Sequence, residues 1–389
     1  MKYPNGHEQK IVILGAGPTG LGAAYHLQEL GYRNWAIYDR NDYLGGLATS
    51  FVDDVGFTYD IGGHVMFSHY EYFDNLVNKL LGDDYTEIMR EAWVWMMDRF
   101  VPYPFQNNIG YLPKEVVLEC VLGLLEAQQH PEKVNAAKTF NDLIDAQFGE
   151  GIAKYFMKPY NFKVWAHPIT HMSRDWLGER VALPSLERIL TNVILDKPDK
   201  GWGPNNKFKY PMYGGTGGLY SPMRKYIDDH LHLGKTAVSI DQQAKQVRFS
   251  DGEVADYDLL LSTMPIDLLI KRMTDVPEEI VKATSGLHHS SGLIVGVGVN
   301  RAFETEKCWM YFPEDTSPYY RVTYLSNYSP YIVPQDDDYF LLLSETSYSV
   351  HKPEDKNTIV ERVVQGLLNT KLLQQDDLDR IASTYLIDV

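Results

Sequence analysis

Three glycines in one hexapeptide, Gly15-Ala16-Gly17-Pro18-Thr19-Gly20, restrict the fold of this chain more than any other feature. KIVIL at 10–14 precedes them, a short β-branched and aliphatic run that reads as a buried parallel strand. LGAAYHLQELG carries on as a helix and WAIYD at 35–39 returns as a second strand, so the stretch is a βαβ unit. In such a unit the first glycine allows the tight turn, the second lets the backbone approach a diphosphate, and the third lets helix and strand pack closely. Amides exposed at the helix start then face the anion. Asp39 falls at the end of the second strand, where a carboxylate accepts hydrogen bonds from an adenosine ribose. Arg40 beside it would suit a 2′-phosphate, but with Asp39 at the ribose position an FAD-type adenosine is the better expectation.

The pair Gly45-Gly46, ahead of Leu47-Ala48, resembles flavin-binding rather than nicotinamide-binding versions of this unit. The fold class expected is α/β: a Rossmann-type dinucleotide-binding domain, of the FAD/NAD-linked reductase kind, with a helical domain and an antiparallel sheet domain. A length of 389 residues leaves room for two or three domains. Apolar spacing predicts a helix over 69–82, and WVWMMDRFVPYPF at 93–105 alternates and turns as a hairpin. From 113 to 196 the pattern is mostly helical, with Thr139 and Asp142 spaced as a capping box. The Gly-rich stretch 201–221 reads as loop, and 235–263 as a hairpin about Asp251-Gly252 leading into the strand LLLSTM. The span 290–346 is strand-rich, and 355–369 is an amphipathic helix. These patterns predict a nucleotide-binding domain at 1–108 and 205–290, a helical domain at 109–204 and a sheet substrate domain at 291–389.

Charge and cysteine usage narrow the partners. Lys and Arg number 36 against 52 Asp and Glu, a net charge of −16 that repels phosphate backbones and anionic lipids. Neither nucleic acid nor membrane is expected as a partner. Cys120 and Cys308 are the only cysteines, too few for a disulfide framework or a thiolate zinc site, which favours a reducing compartment. MKYPNGHEQK has no apolar signal core, and no window reaches ~18 uninterrupted apolar residues, so the expectation is a soluble cytoplasmic protein. His167/His171 and His288-His289 lack a carboxylate or cysteine at ligand spacing and read as structural rather than metal-binding.

In so acidic a chain, an anionic ligand needs local cations. Arg180 in WLGERV and Arg321 in YYRVTY are candidate diphosphate clamps, since a guanidinium can meet two phosphate oxygens at once; pairing with surface carboxylates is the plainer alternative. Tyr103, Phe105, Gln106 and Asn107 combine ring faces with amide donors and acceptors, which suits a planar base. Phe156, Tyr160, Asn161 and Trp165 repeat the combination at helical spacing, which also suits a core. His64 sits on a loop hinged by Gly62-Gly63, a placement that allows movement when a cofactor changes state.

With these motifs assembled, the chain resembles the UDP-galactopyranose mutase family of the eukaryotic type. The likeness runs from about residue 10 to about 386 through GAGPTGLGAA, GGLA, DIGGHVMFSHYEYFD, VPYPFQNNI, PYNFKVWA, WLGERVA, WGPN, YFPED, YYRVT and SNYSPY. It implies a Rossmann-type FAD domain of discontinuous segments, a helical domain and a sheet domain. It implies an isomerase that interconverts pyranose and furanose forms of a nucleoside-diphosphate hexose without net redox change. In the family, reduced flavin attacks the anomeric carbon and displaces the nucleoside diphosphate, and the sugar then opens and recloses on O4. Carried over, His64 falls on the mobile flavin-side histidine, Arg180 and Arg321 on the diphosphate arginines, and Tyr328 on a tyrosine at the diphosphate. Tyr103, Gln106, Phe156 and Asn161 fall on the nucleoside pocket, and Trp165, Asn205 and Tyr311 near the diphosphate or sugar. His64, Arg180 and Arg321 are thus the expected catalytic set, and a homo-oligomer is admissible.

The likeness departs at the C terminus. In the family, the segment matching IASTYLIDV runs on into the flavin domain with a Gly-Arg motif, a Trp-x-Tyr and an Asn/Asp-rich turn, none of which has a counterpart here. The sequence is then either a fragment or a natural short form. A short form is expected to hold flavin weakly and to use Mg²⁺ or Mn²⁺ on the substrate diphosphate as Lewis acid. Amide-and-aromatic pockets accept uracil or guanine, so UDP ranks first and GDP second. Two other readings compete: an amine-oxidase-like flavoprotein oxidoreductase, which leaves Arg180, Arg321 and Tyr328 without a role, and a non-catalytic nucleotide-sugar-binding protein.

Overall fold

The computed structural model describes residues 9–177, 181–199, 203 and 206–389. Two compact units divide the chain: one of 1–51, 68–85 and 211–289, the other of 52–67, 86–210 and 290–389.

The first unit grows from the aliphatic run after Lys10. Ile11–Leu14 forms a strand whose Val12, Ile13 and Leu14 are buried, as expected of a parallel strand covered on both faces. It is flanked by Leu259–Ser262 and Trp35–Tyr38, both parallel to it, and Leu231–His232 completes a four-stranded sheet. Pro18 opens the helix Pro18–Glu29, where its missing N–H has no partner to lose. Ala237–Asp241, Gln246–Phe249 and Val254–Asp256 form an antiparallel meander with the expected turn at Gly252. Ile240, Val247 and Phe249 share a buried cluster with Val12 and Leu14.

The second unit is built on a seven-stranded sheet. Its order is Ile381–Asp388, Ser291–Asn300, Tyr339–Tyr348, Arg321–Tyr324, Trp309–Tyr311, Ala92–Met96 and Arg99–Pro102. All neighbours are antiparallel except Trp309–Tyr311 with Ala92–Met96. The amphipathic helix Ile359–Asn369 buries Ile359, Val363 and Leu367 in the same cluster as Val295 and Val297, at about 1.5–3 kcal/mol per side chain. The helical layer joins this unit. Phe140–Ile152 starts at the expected capping box, Asp142 N donating to Thr139 Oγ1 at 3.2 Å and Thr139 N to Asp142 Oδ2 at 3.0 Å. It runs on through a π turn, Ala153–Met157, into Lys158–Trp165.

Two differences from the sequence reading are physical. The helical and sheet segments expected as separate domains pack into one unit, and 52–67 and 86–108 join them rather than the nucleotide fold. The stretch 201–221, expected as loop, contains the strand Lys207–Pro211 and the short helix Gly217–Tyr220. KFKYP alternates and buries Phe208 and Tyr210, a pattern masked by its glycine and asparagine flanks. Among the described residues no helix is long and apolar enough to cross a membrane.

Candidate functional site

In the first unit the glycine hexapeptide forms the turn its spacing predicts. Gly15 lies at φ +108°, in the left-handed region, and a Cβ there would run into Thr263 Oγ1. A Cβ on Gly20 would run into the carbonyl oxygen of Gly15, so helix and turn meet at backbone distance. Gly46 lies against Gly17, where an added Cβ would sit 3.1 Å from Gly17 Cα, and Gly45 N donates to Ala16 O at 2.9 Å. Asp39 locks the arrangement: Oδ2 accepts from Ala16 N at 2.6 Å and Oδ1 from Asn41 N at 2.8 Å. Each carboxylate oxygen keeps a further acceptor direction, so the ribose role expected of Asp39 is compatible with its backbone role. A glycine cradle at a helix start with an acceptor at the next strand end fits the adenosine-diphosphate half of a dinucleotide.

The second unit gathers side chains around Arg321. Arg321 and Glu345 face each other across neighbouring antiparallel strands. Arg321 Nε donates to Glu345 Oε1 at 2.7 Å and Nη2 to Oε2 at 2.8 Å. Glu345 also accepts from the Gly63 amide at 3.0 Å and from the Tyr320 hydroxyl at 2.6 Å. One buried carboxylate therefore orients the guanidinium and holds the Gly62-Gly63-His64 loop, whose Gly62 takes φ +78°. Burial alone would raise Glu345, but Arg321 outweighs it and holds the carboxyl below its usual range. Burial likewise works against the Arg321 charge, and Glu345 overcomes it, leaving the guanidinium firmly protonated. Arg321 Nη2 also donates to Gly63 O at 3.3 Å, so Nη1 is the nitrogen left without a partner among the described residues.

Rings line up beside it. Phe105 stacks on Phe156 at 4.6 Å, Phe156 on Tyr160 at 5.1 Å, and Tyr160 meets Tyr311 edge-on at 5.3 Å. Tyr311 in turn lies 5.3 Å from Tyr103, and the buried Arg90 stands over the Tyr103 ring at 5.5 Å. The Tyr311 hydroxyl accepts from Trp309 Nε1 at 2.7 Å. Burial pushes the Tyr103, Tyr160, Tyr311 and Tyr328 hydroxyls up, so all four remain protonated donors at neutral pH.

The expected residues separate into three groups. Arg321, Tyr311, Tyr103 and Phe156 come together, with the exposed His64 on the loop that Glu345 holds. Gln106, Asn161 and Trp165 are engaged elsewhere: Gln106 Nε2 donates to Ala182 O, Asn161 Nδ2 to Met157 O at 2.7 Å, and the half-exposed Trp165 meets Trp176 at 5.0 Å. Glu345 takes the Nε/Nη2 edge of Arg321, so the two N–H groups of Nη1 are the donors that remain for another ligand. Tyr328 is buried among Phe208 and Tyr210, its carbonyl accepting from Thr86 Oγ1 at 2.6 Å. Arg180 and Asn205 lie outside the described residues. Sequence reasoning missed Glu345 and Arg90. The signal for Glu345 was a lone carboxylate inside the apolar strand LLLSETS, which has to find a buried partner.

Comparison with known proteins places the whole chain. The family described as flavin containing amine oxidoreductase matches residues 18–367. A crystal structure of reduced UDP-galactopyranose mutase superposes with a TM-score of 0.94 at 43% identity, covering 98% of this chain and 81% of that one. An L-amino acid oxidase of Cerastes cerastes is 19% identical over 96% of this chain and 76% of its own length. A 15-cis-phytoene desaturase of Glycine max is 32% identical over 67% of this chain, a match that spans 48% of the desaturase.

Proposed function

The chain belongs to the flavin-containing amine oxidoreductases and, within them, to the UDP-galactopyranose mutase family, and on that footing we propose that it interconverts the pyranose and furanose rings of a nucleoside-diphosphate hexose. UDP-galactose-type substrates rank first and GDP-hexoses second. The observation that carries the reading is Arg321, a guanidinium fixed by Glu345 with Nη1 left over, beside a continuous set of rings. Such a cation beside stacked rings suits a substrate that joins an anion to a planar base.

In this reading Arg321 Nη1 takes a diphosphate oxygen, and Arg180 supplies a second cation. The Tyr311 and Tyr328 hydroxyls, held protonated by burial, donate to the diphosphate or sugar. Tyr103 and Phe156 cover the base, Gln106 and Asn161 stiffen the pocket from behind through their bonds to Ala182 O and Met157 O, and Trp165 and Asn205 stand toward the diphosphate or sugar. His64, on its glycine hinge, closes over the sugar. Gly15, Gly17, Gly20 and Gly46 would seat the diphosphate of FAD, and Asp39 its ribose. When bound and reduced, the flavin supplies the nucleophile for the anomeric carbon.

The finer question is the cofactor. Among the described residues no group of three or more His, Cys, Asp and Glu is placed to hold a metal ion, so in a flavin-free reaction Mg²⁺ or Mn²⁺ would ride on the substrate's own diphosphate. One experiment addresses both levels. The protein is incubated with UDP- and GDP-hexoses, with and without reductant, divalent metal and EDTA, and ring forms are separated by chromatography. A new furanose peak supports the mutase; net oxidation of substrate, or tight binding with no isomer, overturns it. A yellow protein that needs reductant and ignores EDTA assigns the flavin route, and a colourless one that EDTA silences assigns the metal route.

A further inference from the structure

Lysine is almost never fully buried without a carboxylate partner. Lys163 is 3% exposed, and its ammonium donates instead to two main-chain carbonyls, Glu314 O at 2.8 Å and Ser317 O at 3.0 Å. Burial, with Lys352 nearby, pushes it down to about 7 against the opposing pull of the Asp315, Glu354 and Glu314 carboxylates. A methionine would fill the same volume without that cost, so what the amine contributes is its two directed hydrogen bonds.

Those bonds join two parts of the candidate site. Lys163 and Tyr160 lie three residues apart on the helix Lys158–Trp165, on one face of it. Glu314 and Ser317 belong to the segment 312–320, which leads from Trp309–Tyr311 to Arg321–Tyr324. Tyr311 therefore stands at one end of the pinned segment and Arg321 at the other. Tyr160 reaches both, its ring 5.3 Å from Tyr311 and its hydroxyl in the field of Arg321. Other ties hold the segment from elsewhere, Met97 N to Glu314 Oε1 at 3.1 Å and Asn369 Nδ2 to Thr316 O at 2.9 Å. Among the described residues, Lys163 ties it by hydrogen bonds to the helix of the ring set.

We infer that Lys163 is a positioning residue for the nucleoside-diphosphate hexose, fixing the helix that carries Tyr160 against the segment that carries Tyr311 and Arg321 at its ends. The inference rests on the mutase reading above. Substrate binding depends on the spacing of rings and guanidinium, whereas bond making depends on groups that Lys163 does not touch.

The test compares the full-length wild type with Lys163→Met, Lys163→Gln and Lys163→Arg, using UDP- and GDP-hexose turnover and UDP and GDP binding isotherms. Lys163→Met is expected to raise KM and weaken diphosphate binding about tenfold, with kcat within about threefold of wild type. Lys163→Gln, able to reach one carbonyl, falls between, and Lys163→Arg restores KM. Unchanged KM in both Met and Gln variants overturns the role, as does a parallel loss of kcat without change in KM. If Lys163→Met does not fold, the Gln and Arg pair gives the same decision. A wild type that binds neither diphosphate and forms no isomer overturns the mutase reading instead.

Discussion

In the unit that contains Gly15, the surface offered to a diphosphate is main-chain amide, shaped by Gly15 and Gly20 and locked by Asp39 on the Ala16 amide. In the unit that contains Arg321, the anion-facing group is a side-chain charge, kept in place because a buried carboxylate answers it. The first arrangement offers the anion no side-chain charge to lose and has no space for an extra carbon. The second has space but depends on two charges surviving together. Backbone sites are therefore fragile to volume, and charge-pair sites to the removal of one partner.

The largest effect should come from breaking the pair. Glu345→Ala leaves the Arg321 charge, the Gly63 amide and the Tyr320 hydroxyl without their acceptor. Removing one partner of a buried pair costs about 3 kcal/mol at the lower end, the end that applies because Arg321 keeps part of its surface in water. Urea unfolding measures it; a loss below about 1 kcal/mol would mean that Glu345 is not the keystone described.

A paired comparison follows at smaller scale. Arg321→Ala should weaken UDP or GDP binding about tenfold or more, the scale of one charged hydrogen bond, with Arg180→Ala acting alike. Gly20→Ala should do the reverse, costing about 1–3 kcal/mol of stability as helix and turn are forced apart while UDP affinity stays within twofold. Isothermal titration beside denaturant unfolding separates the two. If Gly20→Ala also lowers UDP affinity tenfold, the contrast between the units fails.

The same contrast explains what could be read from the sequence. The glycine turn is local: six residues, a strand before and a helix after specify it, so the spacing alone predicts Gly15, Gly17, Gly20 and Asp39. The Arg321 arrangement depends on strand register, which places Glu345 opposite across a pair whose residues are 24 apart in sequence. Arg321 could be read as a cation and Glu345 as an oddity in an apolar strand, but not that they face one another. Motif membership also did not decide orientation. Phe156 and Asn161 share one motif, yet the Phe156 ring enters the ring set while the Asn161 amide turns back to Met157 O. KFKYP was hidden for a related reason, since two buried rings in five residues are a weak signal beside glycine-rich flanks.

The smallest effect concerns charge burial itself, and it belongs to the second unit through Lys163. Its folded value is depressed to about 7, while in the unfolded chain it titrates as an ordinary lysine, near 10.4. Below pH 7 both states carry the proton, and the cost of burying the charge is present in full. Between about 7 and 10 the unfolded state binds a proton that the native state has released, so stability rises with pH through this window. The slope is at most about 1.4 kcal/mol per pH unit for one group. Subtracting the Lys163→Met variant removes every other titrating group common to the two proteins. The wild-type stability minus that of the variant should therefore grow by about 1 kcal/mol between pH 7.5 and 8.5, as read from urea midpoints. The neutral amine still has two N–H groups for Glu314 O and Ser317 O, so the gain comes without loss of the tie. A flat difference would place the amine in water rather than in the interior, and would remove buried charge as the feature that sets the second unit apart.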